Sequence, residues 1–499
     1  MEIKRIINLT MIILFLTLAA GIGAFIYNTI NSYKISNDFV KVPLQFNPDN
    51  ASSTYQMKNV QVTVYGGFIK GMVSGNDSAK TLLIRALSPL PAITVKGNNT
   101  DTVSILIENI NPDFYVKSLA DNKLPIARVT PNTVNLNITV DKGQTIKVDP
   151  VPPADSNTGE YKYIILGDNR DGYNTFGQII QQVNGENPVF VIDNGDLVFS
   201  GKPNQYRLFD QMAAQISTTL CTTPGNHDIR GHGRSIYTML YGPDYYSFDF
   251  AGSHFAFLDS SPGWTSKQAI SDEQYKWLER DLKKAQGKII YVITHIPPYD
   301  PRSGVTTNKV PYYVNKMKSG DNLVEQKLDN YYETKGMNHA FQDPQEAARF
   351  ENIMRTYRVK TVYLSHIHSY LEYTRDGVRY LISGGAGAEL LTKNSYYHYM
   401  IAKIGDVNTT TMVELPSPAN DYLTRYVATA QLFAVAMYEE NTIAVILILA
   451  GLGFLLLLLI IKIYLRNQQQ LKILGKWLSE SAKFAANRYR ELFHNNQAD

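Results

Sequence analysis

Five short polar motifs carry most of the side chains in this sequence that could do chemistry, and each follows an apolar, β-rich run. They are Gly167-Asp-Asn-Arg170, Asn194-Gly-Asp196, Gly225-Asn-His-Asp228, Thr294-His295 and Ser365-His-Ile-His368. Ligands at the ends of successive strands are how a sheet gathers distant residues, so we expect one common site. Gly225 would permit a tight turn out of its strand.

The candidate ligands in these motifs are oxygen and nitrogen donors without a thiolate. They are Asp168, Asp196, Asn226, His295, His366 and His368. Such a set suits first-row metal ions. Six ligands exceed the needs of one ion, so we expect two ions about 3.5–4 Å apart that share one carboxylate. Such a pair activates water and neutralises phosphoryl charge, which predicts two divalent or trivalent metal ions (Mn, Fe or Zn) as cofactors.

Each ligand taken alone has a simpler explanation. Asp168 and Asp196 are typical of helix caps and turns, and His295 of a packed strand end. His366 and His368 are separated by one residue, a spacing that is also common for pairs of histidines exposed on a strand. Five motifs in this order, each at a strand end, make coincidence improbable, and the sequence therefore predicts an active site.

In these motifs the chain resembles the calcineurin-like metallophosphoesterases. Their pattern is Asp-x-His, Gly-Asp, Gly-Asn-His-Asp/Glu, a lone His and Gly-His-x-His, and the resemblance covers residues 161 to about 417. It implies a phosphoesterase with a two-sheet core flanked by helices, an α+β fold. It also implies a ligand set, with Asp168 and His368 at the first metal, Asp196 as the bridge, and Asn226, His295 and His366 at the second. His227 would lie beside the scissile ester and stabilise the transition state or protonate the leaving oxygen.

Two residues depart from the family pattern. Ser365 replaces the usual Gly, a mild change, and Arg170 replaces a metal-binding His. Arginine keeps its proton and cannot ligate a metal. The first metal could be held more weakly, Arg170 could clamp a substrate phosphate, or the first site could be lost; we favour the first two together. Loss would leave a weak enzyme or a surface binding or scaffold protein.

Two different secondary-structure patterns along the sequence predict two domains before the C-terminal membrane segment. From residue 161, strands alternate with helical patterns at 175–183, 203–216, 271–285 and 344–357. Ser271-Asp-Glu-Gln274 indicates a capping box. Residues 39–153 carry short alternating strands at regular spacing, which predict an antiparallel, immunoglobulin-like β-sandwich. It contains neither Cys nor His, so we expect a spacer or a docking module for a surface protein. It is placed as in purple acid phosphatases, but Phe199 replaces their metal-binding Tyr, which argues against a purple iron centre.

Two apolar stretches predict membrane spans. Residues 6–27 follow Lys4 and Arg5, and residues 442–461 precede Lys462. Both stretches are long enough to cross a bilayer, and the basic flanks place both termini in the cytoplasm. Cleavage of the first stretch as a signal peptide is the alternative. The tail after the second span is predicted as a basic amphipathic helix on the inner leaflet or as a solvated helix.

Composition limits the remaining classes of partner. The net charge of +3 over 499 residues, with no basic cluster in the central region, predicts no nucleic-acid binding. Cys221 is the only cysteine, which excludes an intrachain disulfide and, in an exterior domain, favours a prokaryotic setting. Five Asn-x-Ser/Thr motifs fall in the predicted exterior and would make it a glycoprotein only in a suitable host. Residues 301–342 are predicted as a substrate-gating lid or a variable insertion.

These observations predict a membrane-anchored phosphoesterase whose catalytic domain faces outward. The expected order is a transmembrane anchor (1–38), a β-sandwich (39–153), a metallophosphoesterase domain (154–418), a linker (419–441), a transmembrane helix (442–464) and a cytoplasmic basic tail (465–499). The expected partners are a phosphate-ester substrate and the membrane.

Overall fold

The structure is a computed structural model. It describes residues 2–31, 39–41, 44–74, 80–115, 126–153, 159–261, 268–301, 339–390, 396–415, 422–466 and 468–494. The predicted lid therefore lies almost entirely outside the described residues. The chain forms two compact units, one of Met1–Ile30 with Ala434–Asp499 and one of Asn31–Phe433.

The first part of the larger unit is built from two sheets. A six-stranded sheet has the order β1-β5-β6-β8-β10-β9, and a five-stranded sheet has the order β11-β7-β4-β3-β2. The strands are β1 Phe39–Lys41, β2 Phe46–Asn47, β3 Ser52–Gln56, β4 Val60–Tyr65, β5 Gly67–Ser74, β6 Lys80–Ala86, β7 Ala92–Gly97, β8 Asp101–Glu108, β9 Ile126–Thr130, β10 Thr133–Val140 and β11 Thr145–Val148. Alternate apolar residues of both sheets are buried in one core, as the period of two along each strand requires.

One strand pair departs from the predicted antiparallel arrangement. β6 and β8 pair in parallel, with Leu82 opposite Ile105. The chain leaves β6, passes through β7 in the other sheet and returns as β8, so it enters the first sheet again in the same direction. The antiparallel prediction is wrong at this pair, and the immunoglobulin-like assignment stays a prediction.

In the residues that the structure describes, the second part of the larger unit contains two further sheets, five complete helices and the beginning of a sixth, Tyr422–Glu440. The sheets have the orders β14-β13-β12-β21-β22 and β15-β16-β17-β18-β20-β19. Their strands are β12 Tyr161–Leu166, β13 Phe190–Asp193, β14 Thr219–Thr222, β15 Tyr246–Phe250, β16 Ser253–Phe257, β17 Ile289–Ile293, β18 Thr361–Leu364, β19 Tyr370–Arg375, β20 Val378–Ser383, β21 His398–Ile404 and β22 Thr409–Glu414. The helices are α2 Tyr173–Glu186, α3 Pro203–Ala213, α4 Gly233–Tyr241, α5 Asp272–Lys284 and α6 Pro344–Thr356. All four predicted helices are present, and α4 is an additional one.

An aromatic layer joins these two sheets. Tyr163 and Phe190 from one sheet stack with ring centroids 5.0 Å apart, and Phe255 of the other sheet meets Phe190 edge-on at 5.1 Å. The hydroxyls of Tyr163 and Tyr363 hydrogen-bond at 2.7 Å across the layer. Aromatic pairs at such distances add about 0.5–1.5 kcal/mol each beyond area burial. The two-sheet core is therefore fixed face to face.

Strand direction brings the polar loops of the two sheets together. β12, β13 and β14 run parallel, as do β17 and β18 in the other sheet. Asn194, after β13, donates from Nδ2 to the carbonyl of Leu364 at 3.0 Å, and His295, after β17, contacts the Asn194 carbonyl at 2.8 Å. The carboxyl ends of the parallel strands therefore meet at one edge of the core.

The N-terminal sheets contact the second part of the unit through specific hydrogen bonds. The Asn109 amide is buried, donates to the Leu220 carbonyl and accepts from the Leu220 N–H, both at 2.9 Å. Leu220 lies on β14, the edge strand of its sheet, so Asn109 continues the ladder that this edge would otherwise leave open. Trp277 Nε1 donates to the Pro48 carbonyl at 3.1 Å.

The capping box predicted at Ser271 is half formed. Ser271 Oγ accepts from the N–H of Gln274 at 3.3 Å and so caps α5. The Gln274 side chain instead pairs with the backbone of Asp259, accepting at 3.0 Å and donating at 3.1 Å. It therefore ties α5 to the loop that follows β16.

The smaller unit consists of helices. They are α1 Glu2–Asn31, the end of α7 Tyr422–Glu440, α8 Thr442–Arg466 and α9 Gln468–His494. Asn8–Tyr27 and Thr442–Ile463 are long and apolar enough to cross a membrane, with mean hydropathy 2.4 and 3.2. Gly451 of α8 lies where an added Cβ would come within 2.8 Å of Leu18 of α1, so these two helices approach closely.

Candidate metal centre

Left-handed backbone conformations mark the loops that build the site. Ten non-glycine residues in the described chain have positive φ, and four of them lie here: Asp168 (59°), Arg170 (44°), Asp196 (58°) and His366 (69°). Each such residue costs of order 1 kcal/mol and persists only where its surroundings hold it. Backbone strain of this kind is concentrated at functional sites, and here it aims carboxylate and imidazole groups inward.

Gly225 is needed for space at the meeting of two loops. A Cβ at this position would lie 2.2 Å from the Asp196 backbone nitrogen and 2.3 Å from Asp196 Oδ1. Gly225 is not among the glycines with positive φ, so the turn itself does not require glycine here. The predicted role of Gly225 in a tight turn is therefore replaced by close approach of the backbone to Asp196.

The first cluster of potential ligands is Asp168, Asp196 and His368, whose donor atoms lie within 4.8 Å of one another. Asp168 Oδ1 and His368 Nε2 are 3.6 Å apart, buried and without a hydrogen-bond partner in the structure. His368 Nδ1 donates to the Glu389 carbonyl at 2.5 Å, which leaves Nε2 free as an acceptor. Two buried acceptor atoms that face each other are costly unless a cation lies between them.

Asp168 is held by the loop after β18. Its Oδ2 accepts from Ser365 Oγ at 2.6 Å and from the His366 N–H at 2.8 Å. Ser365 is the residue that replaces the family's glycine, and its hydroxyl orients the carboxylate. The substitution therefore adds a hydrogen bond to a predicted ligand.

The second cluster consists of Asp196, His295 and His366, again within 4.8 Å. His295 Nδ1 donates to the Asn194 carbonyl at 2.8 Å, so Nε2 is the free acceptor. Around that atom lie Asp196 Oδ1 at 3.3 Å, Asn226 Oδ1 at 3.2 Å and His366 Nδ1 at 3.3 Å. All six predicted ligands are therefore in the two clusters or in contact with them, and Asp196 belongs to both.

The electrostatics of the two clusters fit bound cations. Burial raises the pKa of Asp168 well above its usual value, and the neighbouring Asp196 carboxylate raises it further. Burial also lowers the pKa of His295, His366 and His368, so these imidazoles are neutral at neutral pH, as metal ligands must be. Burial opposes ionisation of Asp196, yet the charges of His295, when protonated, and of Arg170 hold its pKa below the usual range.

Arg170 is a buried cation on the carboxylate that both clusters share. Its Nε donates to Asp196 Oδ2 at 3.2 Å, Nη1 to Glu389 Oε1 at 2.9 Å and Nη2 to His227 Nε2 at 2.6 Å. Only 7 % of its side chain is exposed. Arg170 thus occupies the wall of the first cluster without supplying a ligand.

His227 lies between two guanidinium groups. Arg230 Nη2 donates to His227 Nε2 at 2.7 Å, beside the bond from Arg170, while His227 Nδ1 contacts the Phe199 carbonyl at 2.5 Å. A guanidinium only donates and a carbonyl only accepts, which places the proton of His227 on Nδ1. Burial lowers the pKa of His227 to about 4, with Arg170 and Arg230 contributing. The acid role predicted for His227 stays a prediction, and its imidazole is neutral in this arrangement.

Three residues of the site were not assigned by sequence reasoning. Glu389 follows the glycine-rich segment after β20, Arg230 lies two residues beyond Asp228, and the His339 ring lies 5.5 Å from that of His366. Only the spacing of Arg230 from the third motif was a usable signal, since Glu389 and His339 reach the site through the fold.

Residues 161–370 match the family model of the calcineurin-like phosphoesterases, and the chain carries a domain of that family. This is a family of metal-dependent phosphoester hydrolases. Among curated proteins, a glycerophosphodiester phosphodiesterase GpdQ of Enterobacter lignolyticus is 32% identical over 130 residues, which are 24% of this chain and 46% of that protein. A probable cyclic nucleotide phosphodiesterase of Fibrobacter succinogenes is 27% identical over 108 residues, which are 21% of this chain and 40% of that protein. The chain thus spans less than half the length of these curated relatives.

Solved structures show the same kind of distant likeness. A purple acid phosphatase from yellow lupin is 14% identical, with coverage of 74% of this chain and 81% of that chain, at a TM-score of 0.39. A likeness at that level carries no information on function. The family relationship therefore depends on the matched domain and on the motifs within it.

Proposed function

We propose that this protein is a membrane-anchored, extracytoplasmic phosphoesterase that hydrolyses phosphate esters with a dinuclear metal centre. The observation that supports it most is the pair of ligand clusters that share Asp196, one of which contains two buried acceptor atoms without partners. Such a geometry suits two cations bridged by a carboxylate, as in hydrolytic two-metal sites.

The residues fall into two roles in this proposal. Asp168, Asp196 and His368 would hold the first ion, and Asp196, Asn226, His295 and His366 the second. The ions would supply an activated water molecule and positive charge for the phosphoryl oxygens. Arg170 holds Asp196 in place and presents N–H groups for a substrate phosphate. His227 accepts from Arg170 and so helps to hold that guanidinium beside Asp196.

The proposed location depends on the two apolar helices. Basic residues flank both candidate spans on the side of the chain termini, so both termini would be cytoplasmic and the catalytic domain exterior. Sandwich and catalytic domain would then be held together outside the membrane, with the sandwich available to a surface protein.

The test of activity uses the full-length chain in detergent with Mn²⁺, Fe²⁺ or Zn²⁺ and a chromogenic phosphate ester. We expect hydrolysis that depends on added metal and falls at least 10³-fold in Asp196→Asn, because that change weakens both clusters. A folded sample that stays silent with every one of these ions would refute the proposal.

A second candidate function is a surface binding or scaffold protein with an eroded site. The observation that favours it is the Arg170 guanidinium on the shared carboxylate, where a cation already occupies part of the space. Metal analysis of the full-length protein separates the two: two ions per chain support the enzyme, and one or none supports the scaffold. Arg170→His should raise the occupancy of the first position if that position is merely weakened.

A further inference from the structure

Arg230 is a cation at the site that makes no ion pair with any residue that the structure describes. It is half-buried, and its only hydrogen bond from the side chain in the described structure goes to the neutral nitrogen of His227. Among the described residues, no carboxylate oxygen lies within ion-pair distance of its guanidinium. Arg170, by contrast, is paired with both Asp196 and Glu389.

The two guanidinium groups converge on one atom. Both donate to His227 Nε2, at 2.6 and 2.7 Å, so the two cations are immediate neighbours. Like charges this close repel. Burial lowers the pKa of Arg230, the charge of Asp196 opposes that shift, and the charge of Arg170 lowers the pKa further. The Asp196 and Glu389 carboxylates, which pair with Arg170, offset part of that repulsion, and a bound anion between the two guanidiniums would offset more of it.

The position of the pair specifies the kind of anion. Arg170 touches Asp196, the carboxylate shared by the two ligand clusters, so an anion on the pair also lies beside the proposed ions. A phosphate diester has two terminal oxygens and a single negative charge. A phosphate monoester has three, so it has one oxygen more for the arginines and carries a second negative charge near neutral pH.

We propose that Arg230 and Arg170 together bind a terminal phosphate oxygen of the substrate, so that the site prefers phosphate monoesters over diesters. This inference rests on the proposed function and goes beyond it by naming the substrate class and a new binding residue. His227 acts as a positioning residue, because it holds both guanidiniums at one point. The geometry predicts that loss of Arg230 affects the monoester selectively.

The first experiment compares hydrolysis of p-nitrophenyl phosphate and bis(p-nitrophenyl) phosphate by full-length wild type, Arg230→Gln and Arg230→Lys. A charged hydrogen bond is worth enough to lower kcat/KM for the monoester roughly 10- to 100-fold in Arg230→Gln. We expect less than a threefold loss for the diester and partial recovery in Arg230→Lys. Equal losses on the two substrates, or none, would overturn the inference.

The second experiment measures binding of inorganic phosphate to the same full-length proteins by calorimetry, with Mn²⁺ present. Arg355→Gln is the matched control, since it removes the same charge from the surface of α6. We expect at least a fivefold weaker Kd in Arg230→Gln and no change in the control. Unchanged binding in Arg230→Gln overturns the role of Arg230. Arg230-dependent binding without any hydrolysis by wild type supports that role and refutes the proposed function instead.

Discussion

Two of the predicted ligands are oriented by hydrogen bonds with neighbouring groups. Asp168 is oriented by Ser365 and by the backbone of His366, and His368 is oriented by the Glu389 carbonyl. Outer hydrogen bonds of this kind fix tautomers and ligand directions. The apparent departure at Ser365 is thus a support for the first cluster, which Arg170 leaves with fewer ligands than the second.

Removing the Ser365 hydroxyl should weaken metal binding. In Ser365→Ala, Asp168 loses the 2.6 Å bond that aims its carboxylate. Loss of an outer-shell partner typically lowers metal affinity about 10- to 100-fold. We expect such a loss in metal titrations of the full-length protein, with Ser104→Ala as control, since that serine makes one hydrogen bond on the β-sandwich. Wild-type affinity in Ser365→Ala would show that the hydroxyl is dispensable.

A second residue-scale prediction concerns a histidine far from the ligands. His254 is buried and lies between Asp249 at 2.8 Å and Asp281 at 2.9 Å, and Lys288 also contacts Asp249. Burial opposes protonation, but the hydrogen bonds and charges of the two carboxylates raise its pKa to about 9. The group therefore stabilises the fold fully below its unfolded pKa of about 6.5, and this stabilisation is lost as pH rises towards 9.

The measurement is the apparent Tm of wild type and His254→Gln between pH 6 and pH 9.5. We expect the Tm difference between the two proteins to shrink as the pH rises across that range. The shrinkage corresponds to a loss of stabilisation on the order of 2 kcal/mol, a figure that already allows for the exposure of Asp249 to solvent. A difference that does not depend on pH would mean that His254 acts by packing alone.

At the scale of elements, the predictable part of the fold is the part with a periodic pattern. The four predicted helices carry apolar faces at helical spacing, whereas α4 begins with glycine and contains Ile236 and Thr238, which favour other structures. It is held by burial of Tyr237, Leu240 and Tyr241, which only the tertiary fold supplies. The parallel pairing of β6 with β8 is likewise decided by the route of the chain. The apolar–polar pattern of either strand does not predict the direction of its partner.

The edge of β14 gives an element-scale prediction. Asn109 makes two hydrogen bonds to Leu220 and one to the Ala86 carbonyl, all buried. Asn109→Ala leaves these backbone groups unpaired, at a cost of about 1–3 kcal/mol, and should lower the apparent Tm by several degrees.

The control for this variant is Asn187→Ala. Asn187 also has positive φ, at 49°, but it is exposed at the end of α2. It therefore reports the cost of the left-handed conformation without the lost hydrogen bonds. Equal Tm shifts in the two variants would contradict a role for Asn109 in capping the strand edge.

At the scale of the whole molecule, the sequence predicts the individual motifs and apolar helices better than the contacts between the parts of the fold. The five motifs predict the candidate ligands because strand order places them at one edge, and hydropathy identifies the two apolar helices. The contacts of Asn109 and Trp277 between the N-terminal sheets and the second part of the larger unit depend on surfaces that no motif encodes. The same holds for Arg230 and Glu389 around His227.

The proposed topology can be tested with single cysteines. Cys221 is 1% exposed and burial raises its pKa, so wild type should not react with a membrane-impermeant maleimide. In intact cells we expect Lys142→Cys, on an exposed turn of the sandwich, to be labelled and Glu480→Cys, on α9, to react only after permeabilisation. Labelling in the reverse pattern would place the catalytic domain inside the cell.

The left-handed residues of the site have a consequence for how ions enter and leave. Asp168, Asp196 and His366 lie in loops joined by hydrogen bonds, from Ser365 and the His366 N–H to Asp168 and from the His227 N–H to Asp196. We therefore expect the candidate ligands to keep their arrangement when ions bind or leave, so that metal binding is not coupled to folding of the loops. Chelators should remove the ions while the larger unit keeps its fold, and added metal should restore the metal-bound form without a refolding step.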